Sequence, residues 1–289
     1  MTDPTPTTRH AHVGRLYNLL ALGFDRPSEQ LTDELRSGSF GSILVESAAV
    51  CAKSDNGQTH RVETTAGETN DGDARNRLLE RAAAVAEAAP TDEAGLETLR
   101  STYADAFGFE HGGRISQYQV EYSPRTLLTS TTVLADIAGF YEAFGLSKVD
   151  GNRDRVDHLC LELEFAAYVS LQAATLSEAG DEEGFDIVRD ARASFLEDHL
   201  GRWIPRFREA VIEETDSAFY QSLAAFGCDL VAADCHLLGA EPTVFPEDPP
   251  NPMAAFENED EGNFRCNTCS MATPGGPSGH ADGSALPDR

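Results

Sequence analysis

The sequence predicts an all-α fold, a single multi-helix bundle, and three observations carry that expectation. Apolar residues recur at helical spacing through most of residues 10–240, strand-type alternation is nearly absent, and the periodic stretches are bounded by residues that start and stop helices. With 289 residues, 40% of them hydrophobic, the chain can bury a sizeable core.

Taken in order, the first helix is expected from His10 to Leu22, with Leu16, Leu19, Leu20 and Gly23 along one face. Pro27 and Ser28 open a short second helix to Arg36, and Ile43 to Ala52 reads as a third. Helices are expected again from Asn76 to Ala88 and, after Pro90-Thr91, from Asp92 to Phe107. Gly108 to Arg125 reads as a loop, broken by His111-Gly112-Gly113 and with Pro124 near its end. A long helix follows from Thr126 to Phe144, stopped by Gly145. Further helices are expected at Arg155–Glu178, Glu182–His199, Trp203–Glu214 and Ser217–Leu238, the last closed by Gly239.

Between and around these elements lie stretches with little to bury. Residues 1–9 read as a flexible N-terminus, and residues 53–74, crowded with Thr, Gly, Asn and Asp, as a mobile insertion into the domain at 10–240. Residues 241–289, rich in Pro, Gly, Asp and Glu, read as a disordered tail. Cys266-Asn267-Thr268-Cys269 within that tail is a lone CxxC, and a zinc site needs about four ligands where only His280 is near.

The charge is strongly one-sided: 49 Asp and Glu against 22 Lys and Arg, a formal net charge of −27, with Lys53 and Lys148 the only lysines. Fifteen Phe and long periodic apolar stretches argue against an acidic disordered chain. A folded domain with a hydrated carboxylate surface, suited to a halophilic host, is the expectation. In molar salt the Debye length is about 3 Å, so a partner must be held by contact rather than steered from afar. Nucleic acid is excluded as a partner, because nothing neutralises phosphates. No membrane span is expected, since no segment approaches 18 consecutive apolar residues. The N-terminus has no basic region followed by an apolar core, and six cysteines are too sparse for a disulfide scaffold, so the expected location is cytoplasmic.

The chemically richest stretch runs from Leu134 to Phe165. On a helix, His158, Glu162 and Phe165 share one face, and Asp157, Leu161 and Glu164 a neighbouring one. One reading of these residues is local: Asp157 caps the helix and His158 pairs with Glu162. A second is an all-helical metal-dependent hydrolase using Asp157 and His158, with His111 as a further ligand, although no HExxH spacing accompanies the pair. Trp203 reads as a packing anchor with His199 one turn earlier. Cys228 and Cys235 read as small buried hydrophobes.

The same stretch also resembles a known family. Asp136-x-x-Gly139-Phe140-Tyr141-x-x-Phe144-Gly145-Leu146, followed by Asp157-His158-x-x-x-Glu162-Leu163-Glu164-Phe165, resembles the signature of the TorD/DmsD/NarJ chaperones. Phe195-Leu196-x-x-His199-Leu200-x-x-Trp203-x-Pro205-x-Phe207 and Phe219-Tyr220-x-x-Leu223-Ala224 are similar to that family's later helices. Tyr103-x-x-x-Phe107-Gly108 and Tyr118-x-x-Glu121-Tyr122 resemble its preceding segment, although 116–122 lacks the proline many relatives carry. The resemblance implies a chaperone, not an enzyme, without a cofactor. The implied client is the catalytic-subunit precursor of a molybdopterin oxidoreductase of the dimethyl sulfoxide, trimethylamine oxide or nitrate reductase kind, recognised by its twin-arginine leader and held until cofactor insertion. It also implies a monomer or a domain-swapped dimer.

Carried over by motif, the leader-binding surface comprises Asp157, His158, Glu121, Tyr118, Tyr122, Phe107, Gly139 and Phe140. Such a groove would have an aromatic floor of Phe107, Tyr118 and Phe140 and carboxylates, Glu121 and Asp157, at one end. A leader with two guanidinium groups followed by an apolar segment complements both halves. Apolar burial is not screened by salt, so the apolar half is expected to carry most of the affinity and the ion pairs to set the register. A purely structural interaction protein without a peptide groove is the remaining alternative.

Overall fold

The computed structural model describes residues 6–53, 71–108, 113–123, 127–147 and 155–247. They form one helical unit, within a compact body spanning Met1–Asn251. Its α-helices are α1 (Pro6–Phe24), α2 (Glu29–Ser37), α3 (Ser39–Cys51), α4 (Asp71–Ala88), α5 (Glu93–Ala106), α6 (Leu127–Ala143), α7 (Leu159–Ala179), α8 (Glu182–Phe195), α9 (Gly201–Glu214) and α10 (Ala218–Leu238). A 3₁₀ turn, Gln119–Tyr122, precedes α6, and a π turn, Leu196–Leu200, joins α8 to α9.

Helix boundaries follow the local chemistry. Ser28, Asp92, Asp181 and Ser217 each accept a backbone N–H of the first turn they precede, satisfying a donor that the helix itself leaves orphaned. Gly145 and Gly239 end their segments with φ of 68° and 73°, a left-handed conformation that costs an L side chain roughly 1 kcal/mol. Several boundaries differ from the sequence expectation. The first helix begins at Pro6, a residue whose fixed φ and missing N–H suit a helix start. The fourth begins at Asp71, so the expected insertion loses its last four residues to a helix; residues 54–70 lie outside the described ones. The seventh begins only at Leu159, which leaves Asp157 and His158 ahead of the helix rather than on its faces.

The helix expected to run to His199 ends at Phe195 and widens into the π turn. Buried residues Phe195, His199, Trp203, Phe207 and Val211 recur every fourth position there. A straight α-helix repeats every 3.6 residues and would rotate that row off the core; one wide turn absorbs the drift.

The longest packing seam joins α1 to α7, and α8 also packs on α7; α10 packs on α4 and α9, and α3 on α1 and α4. Leu16, Tyr17, Leu20 and Phe24 of α1 meet Leu163, Ala166 and Val169 of α7 and Leu223 and Phe226 of α10 in one continuous core. Helix α7 is long and apolar enough to cross a membrane by composition, but most of it is buried inside the bundle, which accounts for its hydropathy.

Cys235 is buried and Cys228 is half-buried, their thiols pushed up by burial to about 12 and about 11. Cys266, Cys269, His280 and the expected tail from residue 248 onward lie outside the described residues, as does His111.

Candidate functional site

The segment 113–123 is tied into the bundle at both ends, and that anchoring builds the site. Ile115 N–H donates to the Ala106 carbonyl (2.9 Å). The Gln117 amide donates to the Phe24 carbonyl at the end of α1 (2.8 Å), and Tyr103 Oη donates to Gln117 Oε1 (3.3 Å). Tyr122 Oη donates to the Ser116 carbonyl (2.7 Å), closing the segment on itself without a proline.

The chain just before α7 pairs with this anchored segment. Tyr118 and His158 form an isolated antiparallel bridge. Its two hydrogen bonds run from Gln119 N–H to the Asp157 carbonyl (3.0 Å) and from Leu159 N–H to the Gln117 carbonyl (2.8 Å). Two motifs nearly forty residues apart are thereby set side by side, with Tyr118 edge-on to the His158 ring at 5.1 Å between centroids.

Asp157 does not cap α7. His158 does, its Nδ1 accepting Cys160 N–H (3.2 Å), so the expected cap shifts by one residue. The Asp157 side chain, 0% exposed, instead accepts Val120 N–H (3.1 Å) and a two-pronged bond from Arg155 Nε and Nη2, each at 3.0 Å. The Arg155 guanidinium lies 4.4 Å from the Tyr118 ring centroid and 3.6 Å from Glu121 Oε1. Burial works against its charge, but the hydrogen bonds and charge of Asp157, with Glu121, outweigh that and hold it more firmly protonated than usual.

The expected His158–Glu162 pair is likewise replaced. Glu162 is fully buried and its Oε2 accepts Trp203 Nε1–H (2.9 Å). Burial pushes its carboxyl well above the ordinary range; the Trp203 bond opposes this and the Asp157 charge adds to it. Trp203 also lies 5.3 Å from Tyr122, so it anchors packing as expected and holds Glu162 as well. One turn earlier, His199 Nε2 meets Asp136 Oδ2 of α6 (3.2 Å) and its Nδ1 meets the Gln119 amide (3.4 Å). Burial lowers the His199 pKa despite Asp136, keeping the imidazole neutral at neutral pH.

The structure therefore gathers Tyr118, Glu121, Asp157 and His158 at one place, with Tyr122 beside them. Phe140 sits on α6 against Phe165, Phe195 and His199, reached through the Asp136–His199–Gln119 bonds. Gly139 is exposed on the same helix, with no other described residue within 4 Å of where a Cβ would project. Phe107 stands apart: it is buried among Phe24, Tyr103, Phe207 and Tyr220, so it supports the segment from within. Sequence reasoning gave no role to Arg155, although an Arg-x-Asp spacing at 155–157 was the available signal.

Sequence comparison shows which family the chain falls in. The family model described as "Nitrate reductase delta subunit" matches residues 70–209, the span from α4 to α9 that holds every site residue. A selenate reductase assembly chaperone protein of Thauera selenatis is 37% identical over 146 residues, 50% of this chain and 72% of its own. The chain belongs to the TorD/NarJ family of reductase assembly chaperones. A chlorate reductase assembly chaperone protein of Ideonella dechloratans is 34% identical over 150 residues, covering 51% of this chain and 74% of its own. A chaperone protein TorD of Aliivibrio fischeri is 24% identical over 169 residues, 58% and 75% of the two chains. The site itself is a cationic and aromatic cluster, Arg155 over Tyr118, set above the buried acid Asp157.

Proposed function

We propose that the protein is the maturation chaperone of a molybdopterin oxidoreductase catalytic subunit. It acts in the cytoplasm, binding the twin-arginine leader of the precursor until cofactor insertion is complete, and performs no covalent chemistry. The single observation that carries this reading is the Tyr118–His158 bridge, which brings the two leader-binding motifs of the resemblance into one surface. An aromatic ring, Tyr118, and two carboxylates, Glu121 and Asp157, converge there on one guanidinium, the group a twin-arginine leader presents.

The relatives named for selenate and chlorate reductases support a reductase client. The metal-hydrolase alternative is weakened by the same geometry. Asp157 is engaged by Arg155 and Val120, His158 Nδ1 by Cys160, and among the described residues no three His, Cys, Asp or Glu side chains converge on a metal position.

Titrating a twin-arginine leader peptide in concentrated salt against wild type, Asp157→Asn and Tyr118→Ala tests the proposal. Both variants should weaken binding, by about tenfold for loss of one charge-assisted pair. Affinity equal to wild type in both would remove these residues from the leader site.

A further inference from the structure

Asp157 is a buried acid whose ionic partner comes from its own chain, only two residues away. Its carboxylate is 0% exposed, whereas the Arg155 side chain that neutralises it is 42% exposed. The guanidinium makes three kinds of contact at once: a fork onto Asp157, the face of Tyr118 at 4.4 Å, and Glu121 at 3.6 Å. Fork, ring and second carboxylate make up a fitted guanidinium cradle, and the acid beneath it is too buried to stand empty without a large desolvation cost.

We propose that this cradle is a guanidinium site filled by the chain's own Arg155, and that a client arginine binds by displacing it. The Arg155 side chain, already partly in solvent, can swing outward, giving up the Tyr118 face together with the fork. The buried carboxylate stays in place, fixed by Val120 N–H and by the bridge that runs through its own backbone carbonyl. An incoming arginine would then restore the same fork, so Asp157 is paired before and after the exchange. Self-occupancy lowers apparent affinity by the fraction of time the cradle is free. It also discriminates against lysine, whose ammonium has no planar fork to replace the one removed. The displacement step rests on the leader-binding reading above; the self-filled cradle does not.

The test separates the two. In Arg155→Ala, methylguanidinium at sub-denaturing concentration should recover part of the lost melting temperature, while methylammonium and urea at equal concentration should not. Arg155→Lys, which keeps the charge and loses the fork, provides a second background should the alanine variant fold poorly. A twin-arginine leader peptide should bind the variants about three- to tenfold more tightly than wild type, and a twin-lysine peptide should gain less. Absence of any guanidinium-specific recovery in both variants overturns the cradle. Recovery with peptide affinity unchanged or weakened overturns displacement, since Arg155 would then stand outside the peptide's path or form part of its wall. Recovery with no peptide binding to wild type or variant leaves the self-filled cradle standing and removes the leader-binding reading instead.

Discussion

Arg192–Asp234 and Arg155–Asp157 are the same chemical pair in two environments, one inside the bundle and one at its edge. Arg192 of α8 and Asp234 of α10 are each 1% exposed, with Nε and Nη2 both on the carboxylate. Tyr17 Oη of α1 donates to Asp234 Oδ2 (2.9 Å), and Arg192 Nη1 meets His10 Nδ1 (3.2 Å). Three helices are cross-linked, and burial combined with the Asp234 charge pushes the Tyr17 phenol well above its ordinary range. At the edge, the guanidinium keeps one side in water and its partners come from a loop and the chain before α7. Each pair has a buried acid, and they differ in whether the cation can leave. An interior fork fixes architecture, whereas an edge fork can exchange its cation for another.

The sharpest way to break that contrast is to remove one charge from each pair. Arg192→Ala or Asp234→Ala leaves an uncompensated buried charge and should cost about 3–5 kcal/mol, measured by urea denaturation. Replacing both residues by apolar ones, Arg192→Met with Asp234→Leu, should recover much of this. Recovery should be fuller with Tyr17→Phe added, because the phenol otherwise loses its acceptor. Asp157→Asn should cost only about 1 kcal/mol, since its cation is half in solvent and the amide oxygen can still accept Val120 N–H. Equal losses at the two sites would mean that the edge pair is structural too, and would undercut exchange.

Between these extremes in size lies Glu162, an acid buried next to the edge site without a cation. Its folded pKa is raised, so the folded state binds its proton more tightly than the unfolded chain does. The associated stability is present below the ordinary carboxylate range and is lost as pH rises towards the folded titration, at about 1.4 kcal/mol per pH unit. Glu162→Gln keeps an acceptor for Trp203 and carries no charge. Its stability relative to wild type should therefore grow with pH over that window. His199 acts in the opposite sense: its pKa is lowered by burial, so stability is lost as pH falls below the ordinary imidazole range. Thermal melts across pH on wild type and Glu162→Gln check both signs, and a flat difference between the two proteins would show Glu162 to be ordinarily titrating.

How much of this was legible in sequence depends on how local the cause is. Helices with their own cap and stop, such as the one beginning at Ser28 or ending at Gly239, were readable to within a residue because nearby side chains decide them. Asp157 and His158 were placed on a helix because periodicity extends through them. The bridge to the 113–123 segment, a non-local pairing, holds His158 extended after a turn at 155–157 and delays the helix to Leu159. The π turn escaped for a related reason, since a four-residue repeat from Phe195 to Val211 also suits an α-helix at low resolution of pattern. Arg192 and Asp234 did leave a trace: each falls in the buried row of its helix, beside Val188 and Phe195 or Leu230 and Val231. Opposite charges in two core registers are a signal for a buried pair. The grouping of Tyr118, Glu121, Asp157 and His158 came from motif resemblance, whereas Arg155 as their common partner required geometry.

Gly139 gives the smallest predicted effect and a clean discriminator for the edge site. It lies within α6, exposed, with no other described residue within 4 Å of where a Cβ would stand and no positive φ. Packing among the described residues thus gives no reason for glycine there, and Gly139→Ala should stabilise the free protein by about 0.5–1 kcal/mol through helix propensity. If a leader or client helix runs close over this turn, next to Phe140, the added methyl group should weaken its binding even as the unbound protein becomes more stable. Opposite signs in a melt and in a peptide titration would place Gly139 under the ligand. Stabilisation with unchanged affinity would confine the binding surface to the Tyr118–Glu121–Asp157 side of the Asp136–His199–Gln119 link.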